Sequence, residues 1–183
     1  MDQSSDAGEH EGSRSAGTLL RVRAAAFAVA ALISYAAGAQ SPELLVEVKL
    51  LSREQVLAFY SARGFSANAL RPYADACVLS FTLHNDTATT LRYRLADWKA
   101  GDVPFTAVES WEQGWENAKV AQSARIAFRW AQLPPDQEFA PGDWIMGMAA
   151  LSAHPMGTFR ITVRYQGETG AHESATEPLR CVD

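Results

Sequence analysis

The chain has 183 residues, with 21 acidic against 16 basic side chains and a formal net charge of −5. That balance gives no general attraction to phosphate backbones, so nucleic acid is not an expected partner. A hydrophobic share of 48% with 20% charged residues excludes a disordered or fibrous chain and fits an ordinary globule.

Residues 1–23 open with MDQSSDAGEHEGSRSAGT, which carries no large apolar side chain beyond Met1 and so predicts a disordered lead. Arg21 and Arg23 then precede an apolar run, AAAFAVAALISYAAGA, at residues 24–39. As a helix that run would span roughly 24 Å, short of a hydrocarbon core of roughly 30 Å. A basic flank, a short apolar segment and the small pair Ala37 and Ala39 together read as an export signal cut before Gln40. The alternative is an uncleaved anchor, in which case the membrane is met only through this segment. Both readings place residues 40–183 outside the cytoplasm, periplasmic or secreted, as one domain.

Residues 43–51, ELLVEVKLL, predict a first strand. Ser52 and Gln55 have the spacing of a capping box for a helix that carries Val56, Phe59 and Tyr60 on one face and stops at Gly64. Ser66 starts a second helix, which Pro72 should end or kink. The helices near 52–75 thus read as a small N-terminal insertion. From Ala76 the period changes to two: Cys77, Leu79, Phe81 and Leu83 form one strand, and Leu91, Tyr93 and Leu95 a second, joined as a hairpin through His84 to Thr87. Gly101 to Gln122 breaks the rhythm as a short helix or ordered loop. Ile126, Phe128 and Trp130 read as a third strand; Trp144, Met146 and Met148 as a fourth; Phe159, Ile161, Val163 and Tyr165 as a fifth. Pro-Gly-Asp turns between them, without βαβ alternation, predict a mainly β fold, an antiparallel β-sandwich. In architecture alone this resembles immunoglobulin-like domains. Leu179 stands where the family's tyrosine precedes its second cysteine, and Trp98 lies further from Cys77 than the family's core tryptophan does.

Cys77 and Cys181 are the whole cysteine inventory, and in an oxidising compartment they predict one disulfide. Met146, Met148, His154 and Met156 spell M-x-M followed by H-x-M, a thioether and imidazole set suited to cuprous copper; the competing reading is core filling followed by a turn. Arg92 with Arg94, Arg125 with Arg129 and Arg160 with Arg164 each recur at even spacing. On strands they would form a basic stripe able to hold carboxylates, sulfated sugars or lipid phosphates, or else a solvated face with acidic neighbours. Trp111 and Trp115, four apart, would form one helical patch, either a partner surface or a buried lid. Asn85-Asp86-Thr87 is formally a glycosylation acceptor. No G-x-S-x-G elbow, H-E-x-x-H or phosphate-binding glycine loop is present. The expectation is therefore a non-catalytic, exported binding module with a protein or glycan partner of the cell envelope and no cofactor, copper binding being the alternative.

Overall fold

A computed structural model of the chain describes residues 44–181, so the export segment expected at 24–39 and the lead before it lie outside the described residues. In chain order the elements are β1 (Leu44–Leu50), α1 (Arg53–Ser61), α2 (Ala67–Ala74), β2 (Val78–Asn85), β3 (Leu91–Arg94), a 3-10 turn at Leu95–Asp97, β4 (Lys99–Ala100) and β5 (Val103–Pro104). There follow α3 (Val108–Asn117), α4 (Gln122–Ala131), β6 (Asp136–Phe139), β7 (Trp144–Ala150), β8 (Ile161–Gly167) and β9 (Gly170–Ala175). The result is mainly β, with two antiparallel sheets and four helices among the described residues.

The first sheet runs β1-β2-β7. In the second, β8 pairs with β9 along one side and with β3 and then β4 along the other, while β6 and β5 continue outward. Tyr93 lies opposite Tyr165 but Lys99 opposite Thr162, and the 3-10 turn between β3 and β4 takes up that slip. Alternation sends Leu79, Phe81 and Leu83 of the first sheet and Tyr93, Ile161 and Val163 of the second into one shared core. Trp98 is fully buried there, and its indole N–H donates to the Arg164 carbonyl at 2.9 Å. After β9 the tail continues alongside the segment leading into β8, pairing Leu179 with Phe159, and Cys181 closes a disulfide to Cys77, just before β2.

A second core lies on the opposite face of the first sheet. Val56, Tyr60, Leu70, Tyr73, Trp115 and Phe128 pack there with Val78 of β2 and Ala150 of β7. The helical starts follow from sequence: Ser52 Oγ accepts from the Gln55 amide while Gln55 Oε1 accepts from the Ser52 amide, completing the capping box. Ser66 caps α2, which runs past Pro72 to end at Ala74. Gly64, at φ +94°, turns the chain between the two helices.

Four expectations are corrected. β2 and β3 are not a hairpin: they belong to different sheets, so the turn at Asp86 to Thr90 is a crossing between them. Ile126, Phe128 and Trp130 lie on α4 rather than on a strand; Ala124 and Phe128, four apart, supply its buried face, and Ile126 and Trp130 point outward. The insertion near 52–75 is half of the helical content, because α3 and α4 join it in the same layer. On β7 the core side is Ile145, Gly147 and Ala149, so Trp144 and Met146 are not core filling but stand on the outer face. Apolar side chains on both faces of β7 hid that parity.

Candidate functional site

The helices cover only one end of the first sheet's outer face. Cross-strand register places Val78 beside Ala150, Ser80 beside Met148, Thr82 beside Met146 and His84 beside Trp144. The helical core takes Val78, Ala150 and part of Met148, and there it stops. Beyond that edge Met146 is 60% exposed and Trp144 63%, with Leu45 at the end of the same row as His84 and Trp144. Trp130, on the outward side of α4, is 85% exposed.

Between the helical edge and β7 runs a groove of about 480 Å³. Its floor is Ser80, Gly147 and Met148; α4 contributes Ala127, Trp130 and Ala131, and α1 contributes Phe59 and Arg63. A second hollow of about 390 Å³ continues past Trp130 and Met146 towards Ile145 and Pro134, so these two side chains form the ridge between them. The approach of chain to sheet depends on Gly147. A Cβ there would lie 2.4 Å from the Leu133 amide nitrogen and 2.5 Å from its Cα, where the Gln132–Leu133 segment crosses the strand and Leu133 donates to the Met148 carbonyl at 2.8 Å.

Behind the groove Gln132 joins two buried tyrosines. The Tyr73 hydroxyl donates to Gln132 Oε1 at 3.2 Å, Gln132 Nε2 donates to the Tyr60 oxygen at 2.7 Å, and the Tyr60 hydroxyl reaches Met148 Sδ at 3.5 Å. Burial pushes both phenols well above the ordinary tyrosine range, so they stay protonated as donors. The Arg63 guanidinium lies 3.4 Å from the centroid of Phe59 and donates to the Phe59 carbonyl at 2.7 Å. Among the described residues no carboxylate is paired with it.

Apart from Met146 and Met148, and Arg129 at the second hollow, the residues singled out from sequence fall elsewhere. Arg92, Arg94 and Arg164 do share the outer face of the second sheet, around a concavity of about 590 Å³. Each guanidinium has an acid: Arg92 grips Asp136 through two bonds of 3.0 and 2.9 Å, Arg94 grips Asp97, and Arg164 donates to Glu173 at 2.8 Å. The Arg92 hydrogen bonds hold the Asp136 carboxyl below its usual range. Arg160 donates to the Thr176 carbonyl. Trp115 is buried, its indole N–H on the Ala69 carbonyl at 2.8 Å; Trp111 is half-buried, edge-on to Tyr73. Between them on α3, Glu112 is buried and paired with Arg129 of α4.

Of the four residues considered for copper, Met146 and Met148 share one strand face, while His154 and Met156 sit in the loop after β7. Met148 sulfur accepts from Tyr60, His154 Nε2 lies 3.0 Å from the Asp75 carbonyl oxygen, and Met156 is 97% exposed. No cluster of three or more His, Cys, Asp or Glu side chains suited to a metal occurs among the described residues. Asn85 is fully buried: its amide donates to the Thr89 and Phe139 carbonyls and its oxygen accepts from Thr87, so the folded protein does not present it for glycosylation.

Sequence reasoning missed Trp130, Phe59 and Arg63 as surface residues. Reading 122–131 at a period of 3.6 rather than two would have set Ile126 and Trp130 on the polar side of a helix, which is the signal for an exposed aromatic. No helix among the described residues is long and apolar enough to cross a membrane. Compared with known proteins, the chain matches no family model, no curated protein and no solved structure.

Proposed function

We propose that the protein is an exported, non-catalytic binding module, an immunoglobulin-like sandwich in the broad architectural sense, that meets a ligand of the cell envelope through the face formed by Trp130, Met146 and Trp144. The observation carrying this reading is that two tryptophans and a methionine lie open and adjacent where the helical layer ends. Apolar area left in water is unfavourable by about 25 cal/mol per Å², and exposed patches rich in Trp and Met are the kind that partners cover. The polar alternative on the second sheet is weaker, since Arg92, Arg94 and Arg164 already hold carboxylates. A disulfide is compatible with an extracytoplasmic setting, and an apolar segment behind two arginines supplies the route.

The test is retention of envelope material, lipid and protein fractions separately, by the immobilised exported protein. Trp130→Ser with Trp144→Ser should abolish retention at unchanged melting temperature, whereas Arg92→Gln should keep it. Equal retention by the tryptophan variant would remove this face as the contact surface. Mass spectrometry of the exported product should find Gln40 at the amino terminus and both thiols oxidised; a product found only in the cytoplasm would end the export reading.

A further inference from the structure

The groove beside Trp130 has two chemical parts. Phe59, Ala127, Trp130, Ala131 and Met146 give it an apolar lining, while Arg63, beside Phe59, adds a charged guanidinium. A volume of about 480 Å³ lies within the range of about 300–1,000 Å³ common for small-ligand sites. Six described arginines, Arg53, Arg92, Arg94, Arg125, Arg129 and Arg164, have a carboxylate within ion-pair distance, whereas Arg63, Arg71, Arg160 and Arg180 have none among the described residues; of these four, Arg63 lines the groove. It is also held in place, stacked on Phe59 with Nη1 on the Phe59 carbonyl, so little side-chain freedom remains to be lost on binding. Lys49 lies in the same cross-strand row as Ser80 and Met148, but it is not among the residues that line the groove. Among the residues lining the groove, the charged side chain is Arg63.

We infer that the groove binds a single-chain anionic amphiphile, with its alkyl chain along Phe59, Ala127, Trp130 and Met146 and its carboxylate on Arg63. A planar guanidinium presents parallel N–H donors that match a carboxylate, and an apolar trough lined by one such cation distinguishes a chain with an acidic head from an uncharged one. The inference rests on the binding face proposed above and names the class of ligand that face takes.

The exported, oxidised protein is titrated with dodecanoate and with dodecanol, each below its aggregation limit, with tryptophan fluorescence and calorimetry as readouts. The expected result is saturable binding of the carboxylate about tenfold tighter than of the alcohol. Arg63→Gln should erase that preference and leave alcohol binding in place, while Trp130→Ser should weaken both. No saturable binding, equal affinity for acid and alcohol, or a preference that survives in Arg63→Gln overturns the inference. Binding to anionic phospholipid vesicles without binding of monomeric dodecanoate also overturns it, in favour of a lipid surface. If envelope protein is retained and lost in the tryptophan variant while dodecanoate fails to bind, the binding face stands and the amphiphile falls.

Discussion

The outer faces of the two sheets meet the same requirement in different ways. On the second sheet the outward residues are charged, and they satisfy one another within the sheet: Arg92 with Asp136 across β3 and β6, Arg164 with Glu173 across β8 and β9. On the first sheet the outward residues of β7 are Trp144, Met146 and Met148, which have no charge to exchange and need another layer over them. The helices supply that layer as far as Met148 and no further. Polar alternation finishes a face from its own strands, whereas apolar alternation leaves a surface wherever the covering layer stops.

The largest expected effect tests whether the two sheets form one unit. Cys77 lies at the start of β2 and Cys181 on the tail paired beside β8, with 104 residues of separation. Replacing both by alanine should cost on the order of 4 kcal/mol, lowering the melting temperature by roughly 10 °C in a single transition. Two separate transitions would show that the faces belong to independently melting parts.

Alkaline pH should act almost as strongly and mainly on the helical side. Burial raises the folded-state pKa of Tyr60, Tyr73 and Tyr93 above the usual value, so their stabilising contribution is complete below about pH 10 and is lost as pH climbs towards the folded values. Each then removes about 1.4 kcal/mol per pH unit, about 4 kcal/mol for the three at about pH 11. Tyr93 sits in the core between the sheets with its hydroxyl on the Pro134 carbonyl, so Tyr93→Phe should remove a third of the slope. Tyrosinate absorbance tracked against melting temperature checks this; ionisation near pH 10 in the folded state would contradict it.

A third substitution acts on one side alone. Gly147→Val places side-chain atoms into the backbone of Gln132 and Leu133, so the crossing segment must lift from β7. A cost of about 3 kcal/mol or more is expected, together with loss of ligand retention at the groove. The Arg92–Asp136 pair should remain, readable as an unchanged Asp136 titration by NMR. Normal stability in this variant would mean that the groove wall is not held by that approach.

Much of this contrast was legible in the sequence, and the reasons for the remainder are physical. Ser52 with Gln55 announces α1, alternation announces β2, β7 and β8, and a lone cysteine pair announces the disulfide. What failed was assignment of partners. Phe128 belongs equally to a period of two through Ile126 and Trp130 and to a period of four through Ala124, and alanine at the decisive position gives too little hydropathy to arbitrate. β6 and β9 are short and largely polar, so nothing marks them before their neighbours are known. Trp144 and Met146 look like core in a strand whose true core side is Ile145, Gly147 and Ala149, because small residues face the core where another chain segment presses in. The exposed apolar face was hidden for the same reason, since hydropathy shows that a residue seeks cover but not whether cover reaches it.

The smallest expected effect separates the two faces most sharply. Arg92→Gln removes both hydrogen bonds to Asp136, yet the pair is exposed and screened, so the melting temperature at neutral pH should change by no more than about 2 °C. The trace of the pair is instead its pH dependence. Arg92 holds Asp136 below its unfolded pKa, so the contribution is present above about pH 4 and fades as pH falls through the folded value. In Arg92→Gln that acid-side decline should flatten while retention of ligand is unchanged. Trp130→Ser should do the reverse, leaving the acid profile intact and ending retention. If Arg92→Gln were instead to abolish retention, the charged face would be the contact surface, and the exposed tryptophans would have to be explained without a ligand.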